Sequence, residues 1–222
     1  MIELKNVTKY YPTPDGRKYV LKDVSAVFPP GKNIGIFGAN GTGKSTLMKL
    51  LGKIDYPSSG EINVTGSISW PMGLAGGFQG SMTGRDNARF VCRIYGDSEQ
   101  TIKEKLAFIH DFSEIGDYFD MPIKSYSSGM RSRLSFAVSM AFDFDYYLID
   151  ELTAVGDDRF KKKSAAAMKA KRESGNVIFV SHSMYELKNI CDVGVYMRQG
   201  EMCIFDDIND AVTAYQDEMK RA

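Results

Sequence analysis

This chain of 222 residues carries no surplus of charge, since Lys and Arg number 28 and so do Asp and Glu. A formal net charge of zero removes any global attraction to nucleic acid or acidic lipid, so such contacts would have to be local. Cysteine is scarce. Cys92, Cys191 and Cys203 are scattered, odd in number and without C-x-x-C spacing, which argues against a disulfide framework and a zinc site and points to a reducing cytosol. Long apolar runs are missing. The best window, Leu134 to Phe142, is closed by Asp143, far short of the roughly 20 residues that cross a bilayer. The start, Met-Ile-Glu-Leu-Lys-Asn, has no basic segment followed by an apolar one, so no secretory signal is read there. The expectation is a soluble chain that meets any membrane through a partner. Internal repeats and low-complexity tails are absent too, while 43% apolar residues are ample for a core, in one large domain or a domain with a sub-domain.

What is present starts with Gly38-Ala39-Asn40-Gly41-Thr42-Gly43-Lys44-Ser45-Thr46. Ahead of it Ile34 to Phe37 form a strand-like apolar run, and behind it Leu47, Met48, Leu50 and Leu51 recur at helical spacing. A glycine-rich loop between a strand and a helix lets successive N–H groups converge on an anion, with the helix N-terminus behind them. In such a phosphate loop Lys44 reaches the β- and γ-phosphates of a nucleotide and the Ser45 hydroxyl ligates Mg²⁺.

Taken in order, residues 2–5 and 20–28 alternate or run as strands around the turn Pro12-Thr13-Pro14-Asp15-Gly16, which predicts an N-terminal antiparallel sheet. Tyr10 and Tyr11 just before that turn are either a base-stacking platform or a sheet-edge pair. Residues 61–64 and 67–70 read as short strands. The segment 73–84 holds five glycines in twelve residues, a loop in which Gln79 is embedded. From Arg85 to about Asp120 the pattern is helical, with Phe90, Val91, Ile94 and Tyr95 expected on one face and Ile102, Leu106, Ile109 and His110 on another.

Ser127 and Ser128 are N-cap candidates before a helix through Leu134 and Val138, and Gly129 keeps its first turn open. Tyr146 to Asp150-Glu151 is an apolar run ending in two carboxylates, the form of a core parallel strand whose C-terminal end meets a site. There Asp150 would hold Mg²⁺ and Glu151 would orient a water against the γ-phosphate. The basic helix 159–173 reads as a solvated face. Residues 176–180 form another buried strand, followed by Ser181-His182-Ser183, a ligand-facing triplet or a helix cap. Residues 193–197 and 201–205 pair as a hairpin, and the chain closes in an amphipathic helix with Ile208, Val212, Tyr215 and Met219 on one side.

This order of motifs resembles the nucleotide-binding subunit of ATP-binding-cassette (ABC) transporters over essentially the whole chain. The phosphate loop, Tyr-Ser-Ser-Gly-Met at 126–130 in the signature position, Asp150-Glu151 and Ser181-His182 arrive in the family's sequence. Tyr-Ser-Ser-Gly-Met-Arg-Ser-Arg-Leu, Ala154-Val155-Gly156-Asp157 and the stretch from Gly76 to Asn87 resemble the polysaccharide-exporting branch, within it the ATPase of bacterial capsular-polysaccharide exporters. O-antigen ATPases commonly add a C-terminal carbohydrate-binding domain that is not seen here, which favours the capsule type.

The resemblance implies an α/β fold, a P-loop NTPase core (1-84 and 145-222) with an N-terminal antiparallel β-subdomain and an inserted α-helical signature subdomain (85-144). It implies ATP and Mg²⁺ as ligands. Tyr11 matches the adenine-stacking aromatic, Glu151 the catalytic acid, His182 the γ-phosphate sensor, and Asp157 the acid of the loop that crosses the dimer. Ser127, Ser128 and Gly129 match signature positions that contact a second copy's ATP in a head-to-tail dimer. The family places its metal-facing glutamine at a strand end, whereas Gln79 lies deeper in the glycine segment. The implied partners are a second copy and an integral membrane permease at the cytoplasmic face of the bacterial inner membrane. No nucleic acid is expected, and the polysaccharide would not touch this subunit. A soluble ABC-type ATPase of DNA repair or translation is the alternative; such proteins generally carry two cassettes or a long coiled coil.

Overall fold

Alternation in β1 (Ile2–Thr13) buries Ile2 and Leu4 and turns Glu3 and Lys5 outward, so one side faces a core. β1 pairs antiparallel with β2 (Gly16–Phe28) across the predicted turn, and on its other edge with β4 (Ser59–Val64), giving the order β2-β1-β4. The computed structural model describes residues 1–72, 77–150, 157–198 and 200–221. Two units divide the chain: Met1–Pro71, Phe144–Leu152 and Ser174–Ala222 form one, Met72–Asp143 and Thr153–Glu173 the other. The helical unit thus starts at Met72, ahead of the expected boundary, and takes in residues beyond 144 as well.

In the first unit a second sheet has the order β5-β6-β3-β7-β8, built from β3 (Ile34–Phe37), β5 (Tyr146–Asp150), β6 (Asn176–Val180), β7 (Val193–Arg198) and β8 (Glu201–Phe205). The first four in that row run parallel and β8 returns antiparallel as the expected hairpin partner of β7. Buried parallel strands read as unbroken apolar runs, which is why 34–37, 146–149 and 177–180 were legible. α1 (Lys44–Leu51) packs into one core with both sheets: Leu47, Met48 and Leu51 join Ile2, Leu4, Val24, Ile36, Leu148 and Val195. α6 (Met184–Ile190) and α7 (Ile208–Arg221) cover the other side, where Leu187 and Ile208 lie against Gly35. Along α7, Ile208 and Val212 are buried and Tyr215 meets Phe37 and Tyr196, but Met219 is exposed. Residues 67–70 contribute only a single bridge, Ile68 to Tyr146, in place of the expected strand.

The second unit comprises α2 (Gly84–Ile94), α3 (Glu99–Ser113), α4 (Ser128–Met140), α5 (Asp158–Ser174) and two 3₁₀ turns at Gly116–Asp120 and Ile123–Ser125. On α3, Ile102, Leu106 and Ile109 are buried as their spacing predicts. α2 departs from expectation. Its buried stripe is Gly84, Asn87, Ala88 and Cys92, while Phe90 and Ile94 remain 57% and 65% exposed. The stripe has helical spacing, but small residues form it and the large apolar ones lie outside. α5 is also more than a solvated face. Lys163 donates to the carbonyls of Asp111 and Phe112 at the end of α3, and Lys171 to that of Phe142 after α4, so both ammonium groups sit at negative helix ends.

Lys163 also donates to Glu114 at 2.9 Å, and Arg133 and Arg159 lie 3.8 and 3.7 Å from the same carboxylate. The Lys163 hydrogen bond, opposed by partial burial and aided by the three positive charges, holds the Glu114 carboxyl below its ordinary value. A depressed folded value means stability that is present above the unfolded value and lost as pH falls through the folded one. Glu114→Gln should therefore cost about 1 kcal/mol at pH 7. That gap to the wild type should close as the pH drops below 4.5 and through the folded value, as read by denaturant midpoints. A gap that persists unchanged into acid would show that Glu114 acts without its charge.

Candidate functional site

The loop between β3 and α1 is shaped by three left-handed glycines, Gly38, Gly41 and Gly43, at φ 147°, 79° and 103°. At two of them a side chain has no room: a Cβ on Gly38 would lie 2.3 Å from the Met197 carbonyl oxygen, and one on Gly43 would lie 2.2 Å from Val20 Cγ1. β7 and β2 thus press the loop from two sides. Thr42 closes it, with Oγ1 donating to the Ala39 carbonyl at 2.9 Å. Lys44 is 7% exposed and its Nζ donates to the carbonyls of Gly38 and Ala39, each at 2.9 Å. No side chain caps α1 and no acid occupies its first turn, so its N-terminal amides and partial positive charge are left for an anion. Asn40 and Ser45 are exposed there and Thr46 half-buried. These residues fit the phosphates of a nucleotide, and Ser45 offers a hydroxyl at the same place for a divalent cation.

The sheet brings further chemistry to that edge. β3, β5 and β6 run parallel, and Asp150 pairs with Val180 at the strand ends. Half-buried Asp150 and the Ser181-His182-Ser183 triplet therefore leave the sheet at the edge from which the phosphate loop leaves. Ser183 caps α6 by accepting from the Glu186 N–H, and Ser181 Oγ donates to Glu186 Oε2 at 2.8 Å, so the triplet does serve as a helix cap. His182 between them is exposed. Tyr11 lies near the end of β1, 39% exposed, with its hydroxyl donating to Asp55 Oδ2 at 2.9 Å. Tyr10 instead packs on Tyr19 and under Arg17, as a sheet-edge pair would.

In the helical unit, Ser127 caps α4 by accepting from the Met130 N–H, and Ser127, Ser128 and Gly129 are all exposed. A glycine in a helix costs about 1 kcal/mol against alanine. Among the described residues a Cβ at 129 would meet only Ser127 Oγ, at 3.9 Å. Asp157 Oδ1 accepts from the Phe160 N–H at 2.9 Å, capping α5, and Oδ2 accepts from Arg133 of α4 at 3.0 Å. The Phe160 bond first, and Arg133 after it, keep this carboxyl below its usual range. Gln79 is exposed, and its backbone is fixed by buried Asn87, whose Oδ1 accepts from the Gln79 N–H and whose Nδ2 donates to the carbonyls of Gln79 and Thr83.

Glu151, residues 152–156 and residues 73–76 of the glycine segment lie outside the described residues. Two residues that hydrogen-bond to candidate site residues, one in each unit, carried no signal of their own. Asn87 stood in a quoted motif without a role, and its burial on an exposed-looking helix start is visible only in the fold. Asp55 belonged to no motif. Among the described residues no helix is long and apolar enough to cross a membrane.

The family model described as "ABC transporter" matches residues 21–154. Among curated relatives, "Polysialic acid transport ATP-binding protein KpsT" of Escherichia coli is 52% identical over 220 residues, 99% of this chain and 100% of that protein. "Capsule polysaccharide export ATP-binding protein CtrD" of Neisseria meningitidis serogroup B is 46% identical over 97% of this chain and 98% of its own. Among solved structures, the dimeric post-hydrolysis ATP-binding cassette MJ0796 bound to ADP and phosphate superposes with a TM-score of 0.76 at 22% identity, over 93% of this chain and 98% of that one. At that identity the likeness speaks for the fold, and the expected α/β cassette with its antiparallel sheet is the one found. The chain belongs to the ATP-binding-cassette transporter family, as one of its ATPase subunits.

Proposed function

We propose that this chain is the ATP-hydrolysing subunit of a capsular-polysaccharide exporter, powering movement of the polymer through a separate membrane permease. The observation that carries the reading is the loop at 38–44, pressed into shape by β2 and β7, with Lys44 on its carbonyls and an uncapped, acid-free helix behind it. The polymer class is supported by relatives matched over nearly their full length that are named for polysialic acid and capsule polysaccharide.

In this reading the loop amides and Lys44 hold the phosphates, Tyr11 carries the purine, and Ser45 and Asp150 hold Mg²⁺. Mg²⁺, when bound, neutralises charge on the β- and γ-phosphates. Glu151 orients the attacking water and His182 reads the γ-phosphate. Ser127, Ser128 and Gly129 of a second copy complete the site, and Asp157 belongs to the loop that crosses between copies. Gln79 is offered with its backbone anchored by Asn87 and its side chain exposed, toward the metal. The subunit works at the cytoplasmic face of the inner membrane, bound there through the permease.

Coexpression with the integral membrane permease of a capsular-polysaccharide exporter from the same cell tests this directly. The two should copurify from membranes, and cells lacking this chain should hold polymer inside and lose it from the surface. Copurification with no integral membrane protein, together with normal surface polymer in the deletion strain, would overturn the proposal and favour a soluble ATPase.

A further inference from the structure

Asp55 sits in the turn that leaves α1, and its two carboxylate oxygens are divided between neighbours. Oδ1 accepts from Lys9 Nζ at 2.6 Å and from the Tyr56 N–H at 2.7 Å, while Oδ2 accepts from the Tyr11 hydroxyl at 2.9 Å. The Asp55 N–H donates to the Lys49 carbonyl of α1 at 3.2 Å, which ties this carboxylate to the helix that carries the phosphate loop. Lys9 is 8% exposed, donates also to the Tyr56 carbonyl at 2.7 Å, and places its ammonium 5.0 Å from the centre of the Tyr11 ring. An ammonium at that distance attracts an aromatic face. The ring is therefore held at two points, by its hydroxyl and by one face, although it lies on a partly exposed strand end.

We infer that Asp55, with Lys9, is a positioning residue for the nucleobase: it fixes the Tyr11 ring in the orientation on which a purine stacks. The inference rests on the reading of Tyr11 as the base platform. It adds that the platform takes its position from α1, so that base and phosphates are set by one helix. A structural ion pair between Lys9 and Asp55 would need only Oδ1; the use of Oδ2 for the Tyr11 hydroxyl is what gives the pair a second task.

The test compares binding of ATP and of inorganic tripolyphosphate, each with Mg²⁺, by calorimetry on the full chain and on Tyr11→Ala, Tyr11→Phe, Asp55→Asn and the Tyr11→Phe/Asp55→Asn pair. Tyr11→Ala should weaken ATP about tenfold or more, the loss of a stacked base. Tyr11→Phe and Asp55→Asn should each weaken it about threefold, in the range of one hydrogen bond. The double variant should lose no more than the larger single loss, and tripolyphosphate should bind alike throughout. Tyr11→Phe keeps the Lys9–Asp55 pair and covers the case in which Asp55→Asn folds poorly. Wild-type ATP affinity in Tyr11→Phe and Asp55→Asn, beside a loss in Tyr11→Ala, overturns the positioning role and leaves the platform standing. An unaffected Tyr11→Ala overturns the platform itself. Equal losses for ATP and tripolyphosphate in Asp55→Asn show mere support of α1 and also overturn the inference.

Discussion

Lys44→Ala should lower ATP turnover by a factor of about 10² to 10³, the scale on which a positioned donor to a developing anion acts. The side chain is almost wholly buried and its ammonium rests on two loop carbonyls, Gly38 and Ala39. A buried ammonium is costly to leave uncompensated, so an anion brought beside it is strongly attracted. Removing it deletes that attraction and also the two bonds that draw the loop together, so binding should weaken along with turnover. Phosphate release and nucleotide titration read the two effects, and the thermal midpoint shows whether the fold survives. Lys44→Arg should not rescue, because a planar guanidinium cannot replace a compact ammonium between two convergent carbonyls. Turnover near that of the wild type in Lys44→Ala would refute the reading of the loop.

Glu151→Gln should separate binding from chemistry. Glu151 follows Asp150, the last residue of a strand with four buried residues, Tyr146 to Ile149, before it. Glutamine keeps the size and loses the carboxylate, so a general base or water-orienting role disappears while phosphate contacts stay. A loss of about 10² to 10⁴ in turnover is the usual scale for such a group. ATP affinity should remain within a few-fold, and ATP-bound dimer should accumulate on a sizing column because the step that opens it is slow. Normal turnover would take the catalytic role away from Glu151.

The features legible in the sequence were those whose cause is local. Left-handed glycines beside Lys44 and Ser45, or a run such as Tyr146 to Ile149, carry their structure in their own residue types. The α2 helix shows where this fails. Periodicity was read from the bulky residues Phe90, Ile94 and Tyr95, yet the helix buries its small side, Ala88 and Cys92, with Asn87 inward to bond the 79–83 backbone. Asp55 was invisible for a different reason. Its partners Lys9 and Tyr11 are 46 and 44 positions away along the chain, and no pattern within α1 announces them. The charges of α5 likewise look solvated in sequence, because the ends of α3 and α4 that meet Lys163 and Lys171 are distant along the chain. The roles offered for Ser127 and Asp157 come only from resemblance, since within the fold both are helix caps.

β3 is the middle strand of five, hydrogen-bonded on both sides and buried at every residue. Amides in such a position exchange with solvent only when the whole unit unfolds. The phosphate cradle hangs from that strand, so the entropy of ordering it is lost once, when the chain folds, and not again at each nucleotide encounter. Nucleotide can enter and leave over many cycles without the cradle melting. Whatever movement the hydrolytic cycle produces must then arise in parts of the chain less firmly held than β3.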